Sequence, residues 1–225
     1  KYQHSDNNIY TFNLIDTPGH VDFSYEVSRS LAACEGALLL VDAAQGVEAQ
    51  TVSNSYLAIE NDLSLIPVIN KVDLESSRVS EVRDQIIDLV GCNPDEIIEI
   101  SAKTGKGIDN IFQAIIDRID PPENNINKPT RALIFDSMYD NYRGVVPYVR
   151  VFDGIIKQGM TAEFFSHNFT YEITEVGHFV MKQIPTKELF SGDVGYIIAS
   201  IRDMDHVEPG DTMTVKQHLA KHRLK

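Results

Sequence analysis

Several features that define common protein classes are scarce in this 225-residue sequence. It has two cysteines, Cys34 and Cys92, which are too few for a disulfide scaffold and lack the paired spacing of a metal site. Its longest unbroken apolar run, residues 37–41, falls far short of the ~20 residues that cross a bilayer. These absences exclude a disulfide-rich secreted protein and a transmembrane helix, and they indicate a reducing compartment.

Basic side chains are also few, with 20 Lys and Arg against 33 Asp and Glu and a net charge of −13. This balance argues against a free-standing protein that binds nucleic-acid phosphates, so we expect no DNA partner. The charge is unevenly distributed, because residues 1–130 carry 9 basic and 21 acidic side chains whereas residues 131–225 carry 11 and 12. This change along the chain indicates two domains.

Residues 1–120 alternate between strand and helix patterns. The continuous apolar run at residues 37–41 is typical of a strand buried on both faces of a parallel sheet. Alternation of this kind predicts an α/β domain with a mostly parallel sheet and helices on both faces. Strands are expected at residues 10–15, 37–41, 65–69 and 97–100, and helices at residues 48–61, 108–119 and in two segments that end at Gly36 and Gly91.

The pattern changes after residue 120. Three prolines and three asparagines within residues 120–129 predict a linker at residues 121–130. We expect a small antiparallel barrel or sandwich over residues 131–215, in which Asp153-Gly154 forms a hairpin turn, and the opening of a further segment at residues 216–225. The short β-type runs of the domain predicted at residues 131–215 are residues 132–135, 145–152, 162–165, 170–176 and 194–199.

Three polar motifs follow predicted strands of the first domain, at the sheet edge where α/β proteins bind ligands. The first is Asp16-Thr17-Pro18-Gly19-His20. A carboxylate at the end of a buried strand can hold Mg²⁺, often through water, and a nearby glycine lets a backbone N–H approach a phosphate oxygen. Taken alone, these five residues fit a turn with a surface histidine equally well.

The second motif, Asn70-Lys71-Val72-Asp73, follows the strand predicted at residues 65–69. A carboxylate here can accept hydrogen bonds from N1–H and the exocyclic amine of guanine, whereas adenine offers an acceptor at N1. In this interpretation Asp73 selects guanine, Asn70 joins neighbouring loops and the Lys71 stem covers the base plane. The alternative is an ordinary polar loop at the end of a strand.

The third motif, Ser101-Ala102-Lys103, follows residues 97–100. The Ala102 N–H would donate to O6 of guanine, and the loop would cover the base. This motif is weak evidence alone, but all three motifs occur in order, each after its own predicted strand. The order favours one guanine-nucleotide site over three unrelated loops.

These motifs resemble the third, fourth and fifth signature motifs of the translational GTPases, and the linker with its β-domain resembles the second domain of those factors. Residues 16–37, 42–51 and 132–137 are similar to the LepA type within this family. The resemblance implies an incomplete P-loop-type GTPase domain followed by a small antiparallel β-barrel. It also implies a GTP-hydrolysing elongation factor that acts in back-translocation or in the fidelity of protein synthesis, with elongation factor G as the alternative within the family.

The resemblance further implies a role for single residues, with GTP or GDP and Mg²⁺ as cofactors. His20 would orient the water that attacks the γ-phosphate, Asp16 would hold Mg²⁺ through water, and Gly19 would detect the γ-phosphate through its N–H. The other members of the implied nucleotide-binding set are Thr17, Pro18, Asn70, Lys71, Val72, Asp73, Ser101, Ala102 and Lys103.

The implied partners are the ribosome, with its RNA and proteins, and ribosomal complexes that carry tRNA. A monomer in the cytoplasm or in an organelle matrix is expected, and peripheral association with a membrane stays open. The sequence lacks the G-x-x-x-x-G-K-[ST] loop of the family, so we expect an internal piece of a longer GTPase, with weak nucleotide binding and no useful turnover alone. If the chain is complete, the alternative is a non-catalytic module that docks on the ribosome.

Overall fold

A computed structural model describes residues 1–17, 24–167 and 169–224, apart from the side chain of Ser24. The chain divides into two units, Lys1–Pro121 and Pro122–Lys225. The strands of the first unit are β1 (Tyr2–Gln3), β2 (Ile9–Tyr10), β3 (Gly36–Asp42), β4 (Ser64–Asn70) and β5 (Ile98–Glu99). Its helices are α1 (Ser24–Ala32), α2 (Ala49–Glu60), α3 (Val79–Val90) and α4 (Ile108–Arg118). No helix in the described ranges is long and apolar enough to cross a membrane.

Strands β3, β4 and β5 form a parallel sheet in that order, and helices cover both of its faces. On one face, Val41 of β3 packs in a cluster with Ile86 of α3. On the other face, Val68 of β4 packs in a cluster with Ile111 of α4. Successive side chains of a strand point to opposite faces, and the apolar run of β4 contributes to both layers. The predicted α/β architecture is confirmed.

Strand β3 contributes its buried side chains to one layer. These are Leu39 and Val41, which join the core cluster on the α3 side, whereas Leu38 and Leu40 on the opposite face are 37% and 55% exposed. The expected burial of this strand on both faces is therefore wrong.

Pro67 lies inside β4, the central strand, where a missing backbone N–H usually breaks the ladder. The carbonyl oxygen of Ile69 accepts the N–H of Ile100 at 2.8 Å, so the backbone of Ile69 faces β5. Pro67, two residues earlier, faces the same side, but β5 begins level with Val68. The sheet therefore loses no hydrogen bond at Pro67.

Gly36 does not end a helix, and that prediction is wrong. Helix α1 already ends at Ala32, and Gly36 is the first residue of β3. Glycine fits here because of close packing: a Cβ atom would collide with the side chain of Ile119 and lie 2.9 Å from the carbonyl oxygen of Ser64. The other predicted helix end is confirmed, because α3 stops directly before Gly91.

The strand predicted at residues 10–15 is also wrong. Strand β2 contains only Ile9–Tyr10, pairs antiparallel with β1, and is followed by residues without regular secondary structure. The alternating side chains fit a strand, but a strand also needs a ladder partner. Among the described residues, β3 is the edge of the parallel sheet, and residues 11–15 pair with no strand. Instead, the Phe12 ring stacks on Phe112 of α4 with ring centroids 5.6 Å apart, and Leu14 is 86% exposed.

The second unit consists of antiparallel strands, which confirms the predicted small β-domain. The strands are β6 (Arg131–Asp140), β7 (Gly144–Asp153), β8 (Ile155–Lys157), β9 (Thr161–Phe164), β10 (Thr170–Glu172), β11 (Glu175–Phe179), β12 (Gln183–Thr186), β13 (Glu188–Phe190), β14 (Val194–Ile198) and β15 (Thr212–Val215). Eight of them form one sheet in the order β10-β9-β15-β6-β7-β14-β11-β12, and β13 pairs with β8. One core joins both sheets, since Val149, Ile156 and Leu189 belong to the same buried cluster.

Asp153-Gly154 is a corner between two sheets, and the predicted hairpin is wrong. Strand β7 pairs with β6 and β14, whereas β8 pairs with β13. Gly154 has φ +74°, a conformation that favours glycine, and a Cβ atom there would collide with Thr130. Asp153 is buried in an ion pair with Arg131, so its carboxylate supports the corner from inside the unit.

We expect the ion pair of Arg131 with Asp153 to stabilise the second unit. The Arg131 Nε and Nη2 atoms each lie 2.6 Å from Oδ2 of Asp153, whose side chain is 2% exposed, against 32% for Arg131. Arg131→Met would leave a buried carboxylate without a cation. The free energy of unfolding should fall by about 2–3 kcal/mol, less than for a fully buried pair because solvent screens the guanidinium. Urea unfolding of the intact protein measures this change.

The matched control for Arg131→Met is Lys157→Met. Lys157 forms an ion pair of 2.6 Å with Glu188 in the same unit, but this pair is more exposed. Its loss should cost less than about 1 kcal/mol. Equal losses of stability in the two variants would contradict the special contribution assigned to the buried carboxylate.

Candidate nucleotide-binding site

The carboxyl ends of the three parallel strands bring polar side chains from different parts of the sequence to one sheet edge. Asp42, the last residue of β3, is level with Asn70, the last residue of β4. Ser101 follows the end of β5, and Ile100 is still hydrogen-bonded to β4 through the carbonyl oxygen of Ile69. Ligands of open α/β sheets bind at this kind of edge. The edge therefore contains the second and third predicted motifs.

Asn70 joins the loop after β4 to the loop after β5. Its Oδ1 atom accepts the N–H of Lys71 at 2.7 Å and the N–H of Ala102 at 3.0 Å. A second link is the N–H of Val72, which donates to the carbonyl oxygen of Ile100 at 3.2 Å. These bonds hold the two loops side by side. The third motif predicts that the Ala102 N–H donates to O6 of guanine, and a base oxygen there would have to share this donor with Asn70 or replace it.

Asp73 presents an ionised carboxylate to solvent at this edge. A hydrogen bond from Ser101 and the nearby charge of Lys103 hold the pKa of Asp73 below its usual value. Asp73 itself is exposed, whereas Ser101 is buried. The carboxylate is therefore both charged at neutral pH and open to a ligand that offers hydrogen-bond donors.

The loop after β5 is closed by its own hydrogen bonds. The N–H of Ser101 donates to the carbonyl oxygen of Lys106 at 3.0 Å, and the N–H of Gly105 donates to the carbonyl oxygen of Ser101 at 2.9 Å. The Ser101 hydroxyl accepts the N–H of Thr104 at 3.2 Å. These bonds fix the buried Ser101 at the end of β5.

Asp42 is a site residue that the sequence analysis did not single out. Its Oδ2 atom lies 2.5 Å from Nζ of Lys71, and its Oδ1 atom accepts the N–H of Ala44 at 2.7 Å. The Lys71 ammonium and the turn after β3 lower the pKa of this carboxyl group. The available signal was its position, because it follows an apolar strand in the same way as the predicted motifs do.

The first motif is described only in part. Asp16 and Thr17 lie in the irregular segment after β2, and Asp16 is exposed. No hydrogen bond among the described residues joins either of them to the loops after β4 and β5. Pro18, Gly19 and His20 lie outside the described residues.

The described residues contain no group of three or more His, Cys, Asp or Glu placed to hold a metal ion. Mg²⁺ in nucleotide sites commonly takes one or two protein oxygens, with water and substrate phosphates as its other ligands. Asp16 supplies one exposed carboxylate, which fits this set of ligands.

Two family models match the two units of this chain. The model described as Elongation factor Tu GTP binding domain matches residues 2–121. The chain belongs to this family. The match contains all three motifs, and the model described as Elongation factor Tu domain 2 matches residues 144–214, which include β7 to β14.

Curated relatives of this family member are named Elongation factor 4. The protein of Christiangramia forsetii is 58% identical over 205 residues, which are 91% of this chain and 34% of the relative. The protein of Chlorobaculum parvum is 55% identical over 223 residues, 99% of this chain and 37% of the relative. The protein of Amoebophilus asiaticus is 53% identical over 216 residues, which are 96% of this chain and 36% of the relative.

These matches confirm the resemblance to the LepA type of translational GTPase, because LepA is another name for elongation factor 4. The chain spans about a third of the length of the curated relatives that it matches, between 34% and 37%. The matched third contains the three predicted motifs and the β-domain that follows them.

Proposed function

We propose that this chain forms the guanine-recognising part and the adjoining β-domain of a GTPase that acts in translation elongation. One observation carries the proposal: Asn70 joins the loops after β4 and β5 at the carboxyl edge of a parallel sheet, where the Asp73 carboxylate is exposed. The name Elongation factor 4, shared by relatives at 53–58% identity, supports the assignment to translation.

Guanine recognition follows from the charge and exposure of Asp73. Its carboxylate accepts two hydrogen bonds side by side, and guanine offers two donors, N1–H and the 2-amino group, with the same spacing. Adenine has neither donor at these positions and would leave the carboxylate unpaired, which disfavours its binding. The low pKa of Asp73 keeps the carboxylate charged and ready to accept these donors at neutral pH.

The proposed reaction is hydrolysis of the GTP γ-phosphate by water. Phosphoryl transfer depends on positioning and on stabilisation of charge more than on covalent chemistry by the protein. His20 would orient the attacking water, and the Gly19 N–H would bind the γ-phosphate. Asp16 would hold Mg²⁺ through water, and the bound ion would neutralise charge on the phosphate oxygens.

The proposed partner is the ribosome, including complexes that carry tRNA. The charge distribution supports a role for the β-domain in this contact, because residues 131–225 carry nearly balanced charge whereas residues 1–130 are strongly acidic. Back-translocation or fidelity of protein synthesis is the proposed task, carried out by a monomer in the cytoplasm. Hydrolysis is assigned to the intact protein that carries this sequence.

Competition binding tests the proposed function. Fluorescent GDP bound to the intact protein should be displaced by GTP and GDP but resist ADP and ATP, and ribosomes should stimulate hydrolysis of GTP. Equal displacement by adenine and guanine nucleotides would contradict guanine recognition. Co-sedimentation with ribosomes without any nucleotide binding would support the non-catalytic docking module instead.

A further inference from the structure

The ion pair between Lys71 and Asp42 connects the base-recognition loop to the neighbouring strand. The Lys71 Nζ atom lies 2.5 Å from Oδ2 of Asp42. The two partners differ in exposure, since the Asp42 side chain is 15% exposed and the Lys71 side chain 54%. A long, exposed lysine side chain is normally free to change rotamer. Here its charged end meets a carboxylate in a more confined position.

Asp42 is held firmly by its own loop. Its Oδ1 atom accepts the N–H of Ala44 at 2.7 Å, which leaves Oδ2 for Lys71. The loop after β3 is in turn anchored by Arg78, the residue before α3, and by Gln85 of α3. Arg78 donates from Nη2 to the carbonyl oxygen of Ala44 at 2.9 Å, and Gln85 Oε1 accepts the N–H of Val47 at 2.9 Å. The carboxylate is therefore the fixed partner of the pair.

The backbone of Lys71 is also tightly defined. Its φ of +64° is uncommon for a residue other than glycine and carries a conformational cost. Hydrogen bonds hold it there: its N–H donates to Asn70 Oδ1 at 2.7 Å, and its carbonyl oxygen accepts the N–H of Leu74 at 3.1 Å. With the backbone fixed at one end and the ammonium at the other, few conformations remain for the stem between them.

We propose that Asp42 is a positioning residue for nucleotide binding: by holding the Lys71 ammonium, it fixes the lysine stem where the base packs. This inference rests on the proposed guanine site. Contact between an aliphatic stem and a purine ring is independent of the hydrogen-bonding pattern of the base. Asp42 therefore contributes to the affinity for nucleotides, whereas Asp73 determines which base is preferred.

Asp42→Asn in the intact protein tests this inference. The amide keeps an oxygen that accepts the N–H of Ala44 and replaces the oxygen that meets Lys71 with an NH₂ group, which repels the ammonium. We expect the Kd for GDP to rise by about threefold to tenfold, the range of one partly exposed ion pair. The ratio of GDP affinity to XDP affinity should stay unchanged.

A double-mutant cycle separates positioning from a general structural effect. Lys71→Met keeps an unbranched apolar stem and removes the charge, so Asp42→Asn should cause no further loss of affinity in that background. A loss that persists without the lysine charge would overturn the proposal. So would an unchanged Kd, or a lower one, which would mean that Asp42 competes with the nucleotide for Lys71.

Two further variants complete the experiment. Glu188→Gln removes the 2.6 Å ion pair with Lys157 from the second unit and should leave the Kd for GDP unchanged. If Asp42→Asn fails to fold, as judged by circular dichroism, Asp42→Ser takes its place, because a hydroxyl can accept a hydrogen bond in the same turn. Failure of the proposed function itself appears separately, as wild-type protein that does not prefer GDP over ADP.

Discussion

Asp73→Asn is expected to shift the base preference of the intact protein from guanine towards xanthine. The asparagine oxygen still accepts N1–H, but its NH₂ group faces the 2-amino group of guanine and repels it. Xanthine has a carbonyl oxygen at this position and accepts the new donor. Two hydrogen bonds to a charged group contribute about 3–6 kcal/mol, so the ratio of GDP affinity to XDP affinity should fall by about 10²–10⁴-fold. Competition binding with GDP and XDP measures it.

The matched control for Asp73→Asn is Glu75→Gln. Glu75 is an exposed carboxylate two residues further along the same loop, so its neutralisation changes the local charge by the same amount. The base preference of this variant should remain that of the wild type. If Asp73→Asn keeps the wild-type ratio of GDP to XDP, Asp73 does not bind the base.

His20→Ala is expected to slow ribosome-stimulated GTP hydrolysis by about 10²–10⁴-fold, the usual contribution of one positioned catalytic group. The proposed role of His20 concerns the attacking water and not the base or the ribose. The Kd for GTP should therefore stay within about twofold of the wild-type value, a difference of less than 0.5 kcal/mol. Single-turnover hydrolysis with saturating ribosomes separates this effect from binding.

The control for His20→Ala is His222→Ala, which removes an exposed histidine of the second unit. Its stimulated rate should equal that of the wild type. Equal rates in His20→Ala and wild type would remove the histidine from the hydrolytic step, and a slower rate that reflects only weaker GTP binding would assign it to binding.

The fold was predictable where local pattern and tertiary packing agree. The apolar run of β3 and the 3.6-residue spacing of α4 each have one satisfactory interpretation, and the structure contains both elements. The sequence pattern gave wrong predictions where strand pairing determines the structure. Residues 10–15 alternate like a strand, but residues 11–15 have no ladder partner among the described residues, and Asp153-Gly154 joins strands of different sheets. Short strands such as β8 and β13 also lack a period long enough to detect.

The part of the site that was predictable consists of polar residues directly after predicted strands. The sequence indicated that Asn70 and Ser101 follow neighbouring strands, and the structure brings their loops together through the Ala102 N–H. Asp42 was missed because it lies 29 residues before its partner Lys71 and belongs to none of the three motifs. Its contribution depends on the parallel register that sets β3 beside β4, which no local pattern specifies. The roles of Asp16 and His20 stay predictions.

The most direct test of guanine recognition is a crystal structure of the intact protein with GDP and Mg²⁺. We predict that the Asp73 carboxylate lies within hydrogen-bond distance, about 2.7–3.2 Å, of both N1 and the 2-amino nitrogen of guanine. We also expect the Lys71 stem to lie against the base plane. A guanine base bound elsewhere, or bound here without contact to Asp73, would contradict guanine recognition by Asp73.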